Sequence, residues 1–170
     1  MSPEMVILVD ENDNQIGFME KQEAHEKGVL HRAFSVLVFN SKGELLLQQR
    51  ALNKYHSGGL WTNTCCSHPR QGETTEEAAH RRLKEEMGFD CPLKLHQSFI
   101  YKAPFENGLT EHELDYIYIG QYNENPQFNP VEVHTFKWIS MEELYTQLTL
   151  EPKQFTVWFK MIMDHYLTDK

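Results

Sequence analysis

Between Thr74 and Gly88 the sequence specifies both ends of a helix, and no other stretch is so tightly constrained. Thr74 followed three residues later by Glu77 is a capping box, in which each side chain satisfies a backbone N–H left over at the helix start. Gly88 is placed to be the left-handed residue that ends it. Over Glu76 to Met87, the residues Ala78, Ala79, Leu83 and Met87 recur at helical spacing and form one packed stripe. Upstream, Trp61 to Cys66 reads as extended and runs into a Cys-Ser-His-Pro turn. A strand, a turn and a helix thus follow in order, carrying thiol, imidazole and carboxylate groups that a plain scaffold does not need.

The chain has 170 residues, enough for a single domain spanning 1–170 with a substantial core. Its formal charge of −9 and pI of about 5.4 exclude a nucleic-acid partner, which would require a basic face. A compact anion held by a few local cations remains compatible with that charge. Met1 to Asp10 lacks the features of a signal peptide, and no run approaches the roughly twenty apolar residues of a membrane span, so a cytoplasmic protein without a membrane partner is expected. Three cysteines, two of them adjacent, cannot build a disulfide framework.

In chain order, Met5–Val9 and Gln15–Met19 form an N-terminal hairpin, and Glu20–Lys27 a polar helix ended by Gly28. His31–Phe39 and Glu44–Gln49 flank a turn and read as a second hairpin, followed by a polar loop from Arg50 to Gly59. Leu93–Tyr101, His112–Tyr122 and His134–Ile139 are strands, with a turn at Glu106-Asn107-Gly108. Ser140 and Glu143 cap a short helix, and Pro152–Tyr166 is one amphipathic helix. This order predicts an α/β sandwich, a mixed sheet with helices on its faces.

Parity along the strands sorts the reactive side chains. Glu111 and Glu113 are two apart, so both carboxylates project from one face while His112 points to the other. Cys66 and His68 obey the same rule, and Pro69 biases His68 toward an extended conformation. Cys65 faces the opposite way and reads as small buried packing. His25 and His31 complete a possible His/His/His/Glu/Glu set, a nitrogen and oxygen environment suited to manganese, magnesium or zinc. Any one of these histidines alone reads as an ordinary imidazole; clustering combined with parity singles them out. Arg81 with Glu85 and Arg82 with Glu86, each four apart, read alone as exposed ion pairs worth about a few tenths of a kcal/mol.

The helix unit resembles a Nudix box: Glu73, seven residues, then Arg81-Arg82-Leu83-Lys84-Glu85-Glu86-Met87-Gly88-Phe89. It departs from that pattern where Ser67 replaces a glycine and Arg82 a glutamate. The second departure removes a metal-binding carboxylate and weighs against pyrophosphate hydrolysis. EKQEAH (Glu20–His25), LHRAFS (Leu30–Ser35), QRALNK (Gln49–Lys54), WTNTCCSHP (Trp61–Pro69) and TEHE (Thr110–Glu113) look like the type 1 isopentenyl diphosphate isomerases, Nudix-fold enzymes of isoprenoid synthesis. The similarity runs from Val6 to about Trp158.

That resemblance implies a Nudix-like α/β/α sandwich with a mixed sheet, an N-terminal hairpin and a C-terminal helix. It further implies a monomer that interconverts isopentenyl and dimethylallyl diphosphate. Within it, His25, His31, His68, Glu111 and Glu113 match the ligands of one divalent metal (manganese, zinc or magnesium). Cys66 and Glu113 match two catalytic groups on opposite faces of the alkene, assisted by Tyr101. Glu86 and the main-chain oxygen of Cys66 match a site for a magnesium ion that arrives with the diphosphate. Lys21, Arg50, Lys54 and Arg82 match residues around the diphosphate, and Trp158 an aromatic ring facing the cationic carbon. A nucleotide-hydrolysing Nudix enzyme and a non-catalytic binding module are the competing expectations.

Overall fold

The architecture is that of a computed structural model describing residues 4–54 and 57–168. Tyr55 and His56, in the expected polar loop, lie outside the described residues. Strands β1 (Met5–Val9) and β2 (Gln15–Glu20) form the N-terminal hairpin, and α1 (Lys21–Lys27) ends at Gly28 in the left-handed region. There follow β3 (His31–Phe39), β4 (Leu45–Arg50), β5 (Trp61–Thr62), β6 (Cys65–Ser67) and α2 (Thr75–Met87). The chain closes with β7 (Leu93–Phe105), β8 (Leu109–Gln121), β9 (Val133–Ile139), α3 (Met141–Leu150) and α4 (Val157–Thr168).

Among the described residues these nine strands make one mixed sheet, in which β3 and β8 run parallel and the other strand pairings are antiparallel. Alternation along β3 sends Phe34, Val36 and Val38 to one face, where α2 packs Ala78, Ala79, Leu83 and Met87 against them. Leu37 points to the other face, joining Leu45, Leu47 and Ile117 beneath Leu144 of α3 and Phe159, Ile162 and Met163 of α4. Truncating a side chain such as Leu83, which is fully buried, to alanine costs about 2–5 kcal/mol. No helix among the described residues is long and apolar enough to cross a membrane.

The capping box forms as the sequence dictates: Thr74 accepts from the Glu77 N–H, and the Glu77 side chain accepts from the Thr74 N–H. Gly88 has φ 71°, and a Cβ there would meet the Gln127 carbonyl oxygen at 2.1 Å, so only glycine fits.

Three expectations need correction. The β3–β4 hairpin is paired only at Phe39 and Leu45. Beyond that point Thr64 inserts between the strands, its hydroxyl accepting from Val38 N–H (3.0 Å) and donating to the Leu46 carbonyl (2.6 Å). A side chain thereby replaces a ladder bond, and the same insertion divides the expected extended run Trp61–Cys66 into two short strands. Next, β7 and β8 extend to Phe105 and from Leu109, because positive φ at Asn107 and Gly108 closes their turn tightly. Finally, the expected helix Pro152–Tyr166 is broken. Pro152–Gln154 is a 3-10 turn, Phe155 is extended and bridges to Trp61, and Thr156 accepts from the Phe159 N–H as α4 begins. Burial of Phe155, at 1% exposure, outweighs continuing the helix through it.

Candidate active site

The ladders bring distant residues into register. His31 lies opposite Glu113 across β3 and β8, and Tyr101 opposite Glu113 across β7 and β8. Glu111, Glu113 and Asp115 emerge on one face of β8, and all three are buried. His68 follows β6, while His25 comes from α1; both are buried. His68 Nε2 lies 2.8 Å and His31 Nε2 3.2 Å from Glu113 Oε2, and His25 Nε2 lies 3.5 Å from Glu111 Oε2. One ligand atom from each of the five residues falls within 4.8 Å of every other.

Whether this group fits a cation is decided by its protons. His31 Nδ1 is 2.8 Å from the Val29 carbonyl oxygen, which can only accept, so the ring proton sits on Nδ1. That leaves Nε2, which faces Glu113 Oε2 at 3.2 Å, as the ring nitrogen that can take a metal ion. Glu111 Oε2 is also buried without a hydrogen bond. Burial, followed by the neighbouring His68, lowers the His25 pKa to about 3. Burial likewise lowers His68, though Glu113 opposes the shift. Burial and then the Glu113 charge raise Glu111 well above the usual carboxylate range. Ring nitrogens converging with two carboxyl groups suit a divalent cation, and this buried group could hold a metal ion.

His25, His68, Glu111 and Glu113 line a cavity of about 230 Å³. Tyr101 and His31 contact Glu113, the Tyr101 hydroxyl donating to Oε1 at 2.5 Å. Burial and then the Glu113 charge keep the phenol protonated by raising its pKa. Cys66 is partly buried and opens on the same cavity. Burial pushes its thiol up, Arg50 opposes the shift, and the charges of Glu86 and Glu113 reinforce it, so the sulfur carries its proton at neutral pH. Cys65 turns to the α2 core with no exposure.

The same cavity is lined by Lys21, Arg50, Lys54 and Arg82, and the charges of Lys21 and Arg50 oppose the rise in the Glu111 pKa. Lys21 pairs with Glu4 at 3.3 Å, and Lys54 with Glu132. Arg82 grips Glu86 Oε2 through two nitrogens, at 2.7 and 3.0 Å, while Gln48 donates to Oε1 at 3.0 Å. The Arg50 guanidinium stands 5.1 Å from the ring centre of Trp158, which is 4% exposed.

A family model described as the NUDIX domain matches residues 29–159. Isopentenyl-diphosphate Delta-isomerase 2 of Photorhabdus laumondii is 54% identical over 161 residues, covering 95% of this chain and 91% of that protein. The chain belongs to the isopentenyl-diphosphate Delta-isomerase family. The isopentenyl-diphosphate Delta-isomerase of Pectobacterium atrosepticum is 55% identical, covering 92% of this chain and 87% of its own. Among solved structures, a Deinococcus radiodurans protein superposes with a TM-score of 0.73 at 23% identity, covering 87% of this chain and 90% of that one, a likeness of fold alone.

In this isomerase-family chain the arginine pair of the Nudix helix is not two exposed salt links. Glu86 is 6% exposed, which makes Arg82–Glu86 a partly buried pair, and Arg81 is held chiefly by Glu73, at 2.6 and 2.9 Å. Sequence reasoning missed Asp115, which holds Ser35, and several residues that line the cavity, Ser35, Gln48 and Glu132 among them. Asp115 was reachable, since it continues the Glu111, Glu113 parity by two residues, and Ser35 lies within a quoted motif. Gln48 and Glu132 gave no signal, because a lone polar residue on a strand or loop acquires a partner only in three dimensions.

Proposed function

We propose that this chain interconverts isopentenyl diphosphate and dimethylallyl diphosphate by moving a double bond one position along the five-carbon chain. The observation that best supports this reading is the opening of the Tyr101-bonded Glu113 and the protonated Cys66 onto one cavity, lined also by Trp158 and by Lys21, Arg50, Lys54 and Arg82. Glu113 and Cys66 divide the two proton transfers. One adds a proton to the terminal alkene carbon, generating a tertiary carbocation, and the other removes a proton from the carbon nearer the diphosphate. Tyr101 supports Glu113 by holding a proton at Oε1.

A tertiary cation is captured by water unless the site is dry, and burial of the surrounding side chains serves that end. The indole of Trp158 stabilises the cation by roughly 2 kcal/mol when desolvated, leaving most of the barrier reduction to positioning and fixed charge. His25, His31, His68, Glu111 and Glu113 would hold one divalent cation (manganese, zinc or magnesium), which supplies charge that fixes Glu113 and shifts local proton affinities. Lys21, Arg50, Lys54 and Arg82 bind the diphosphate, the arginines by forked donors and the lysines as point charges. Magnesium arriving with the diphosphate would meet Cys66 O and Glu86.

Incubation with isopentenyl diphosphate and magnesium in deuterated water tests the reading. It predicts dimethylallyl diphosphate carrying solvent deuterium; recovery of unlabelled starting material alone, or release of inorganic phosphate, rejects it.

A further inference from the structure

Strand β3 carries a buried hydroxyl that none of these roles uses. Ser35 is the ladder partner of Cys66 on one side and of Ile117 on the other. It is 2% exposed, shares the parity of His31 and Leu37, and so looks toward α4 from the sheet. It lines the same cavity as Cys66, Glu113 and Trp158. Its Oγ donates to Asp115, 2.8 Å from Oδ2 and 3.1 Å from Oδ1. Asp115, 1% exposed, stands two residues beyond Glu113 on the same face of β8.

A serine hydroxyl has one hydrogen and two lone-pair directions. With the hydrogen committed to a buried carboxyl, what remains for the cavity is the negative end of the oxygen, and the hydrogen bond polarises it further. Trp158 approaches from the opposite wall, since it belongs to the helix that packs on this sheet face. The five-carbon chain of a substrate thus lies between an indole on the helix side and an oxygen acceptor on the sheet side. An acceptor placed there, with its donor turned away, suits a positive charge and offers nothing to a neutral hydrocarbon.

We propose that Ser35, oriented by Asp115, is a further catalytic residue that stabilises the carbocation from the sheet side through the lone pairs of its oxygen. No bond to that oxygen forms; the interaction is electrostatic, and Asp115 is a positioning residue. The inference rests on the isomerase reading above.

The test uses the full chain loaded with manganese and magnesium, titrated calorimetrically with two ligands. One is dimethylaminoethyl diphosphate, whose protonated nitrogen mimics the cationic carbon; the other is isopentyl diphosphate, its saturated neutral counterpart. The wild type should bind the ammonium compound at least about a hundredfold more tightly, as a mimic of the transition-state charge. Ser35→Ala should cut that preference about tenfold and lower kcat by about the same factor, with affinity for isopentyl diphosphate and KM unchanged. Because Ser35→Ala strands a buried carboxyl, the double variant Ser35→Ala/Asp115→Leu, which removes both partners with little change of shape, gives the same reading in a folded protein. Ser35→Thr, which keeps the hydroxyl, should restore the preference. A preference that survives in the folded double variant overturns the inference alone. Equal wild-type binding of the two ligands overturns the isomerase reading and the inference with it.

Discussion

Two groups of charged residues line the cavity, and they are balanced in opposite ways. Around Glu113, carboxyl groups meet His25 and His68, whose charging burial opposes, so carboxyl oxygens and ring nitrogens converge in a group that could hold a metal ion. Among the cations, Lys21, Lys54 and Arg82 each already have a carboxylate partner: Glu4, Glu132 and Glu86. The acidic group suits a cation, whereas the paired cations suit an anion that exchanges partners with pairs already formed.

The largest effect should come from removing the two groups assigned to proton transfer. Cys66→Ala and Glu113→Gln should each lower turnover by about 10³-fold or more, measured by deuterium incorporation, with the circular dichroism spectrum unchanged. Near-normal turnover in either variant would break the assignment. Chelation tests the His/Glu group next: it should abolish isomerisation and lower Tm, manganese or magnesium should restore both, and inorganic diphosphate should not replace the metal.

A third effect concerns pH in the chelated protein. The folded-state pKa of His25 is about 3 against 6.5 for a free imidazole, so between those values the unfolded chain binds a proton that the folded chain refuses. Stability is therefore present above pH 6.5 and is lost as pH falls toward 3. A Tm drop of at least about 5 °C across that window is expected, and His25→Phe should flatten it. The smallest effect belongs to the paired cations. Glu132→Gln frees Lys54 from a partly exposed ion pair worth about 0.2–1 kcal/mol, so KM for the diphosphate substrate should fall by up to about fivefold with kcat unchanged. A rise in KM would mean that Glu132 positions the cations rather than competing for them.

Much of this was legible before any coordinates. The capping box at Thr74 and the stop at Gly88 are local, and their hydrogen bonds span no more than four residues. The separation of Cys65 from Cys66 and the shared face of Glu111 and Glu113 follow from the two-residue period of a strand. What was not legible involves competition between segments. Phe155 interrupts a sequence with helical periodicity because a core position beside Trp61 is worth more to it than one further turn. Glu132 finds Lys54 across 78 residues of chain, and nothing in either neighbourhood announces the pair.

The amino-acid sequence by itself determined which side chains share a face, where the Nudix helix starts and stops, and which family the motifs resemble, because each depends on backbone periodicity or short-range hydrogen bonding. Only the tertiary structure decided that Thr64 pries β3 from β4, that His31 stands level with Glu113, and that Ser35 turns its hydrogen toward Asp115. Those relations depend on strand register and on which segment wins a given place in the sheet, and both are settled by the packing of the whole chain at once.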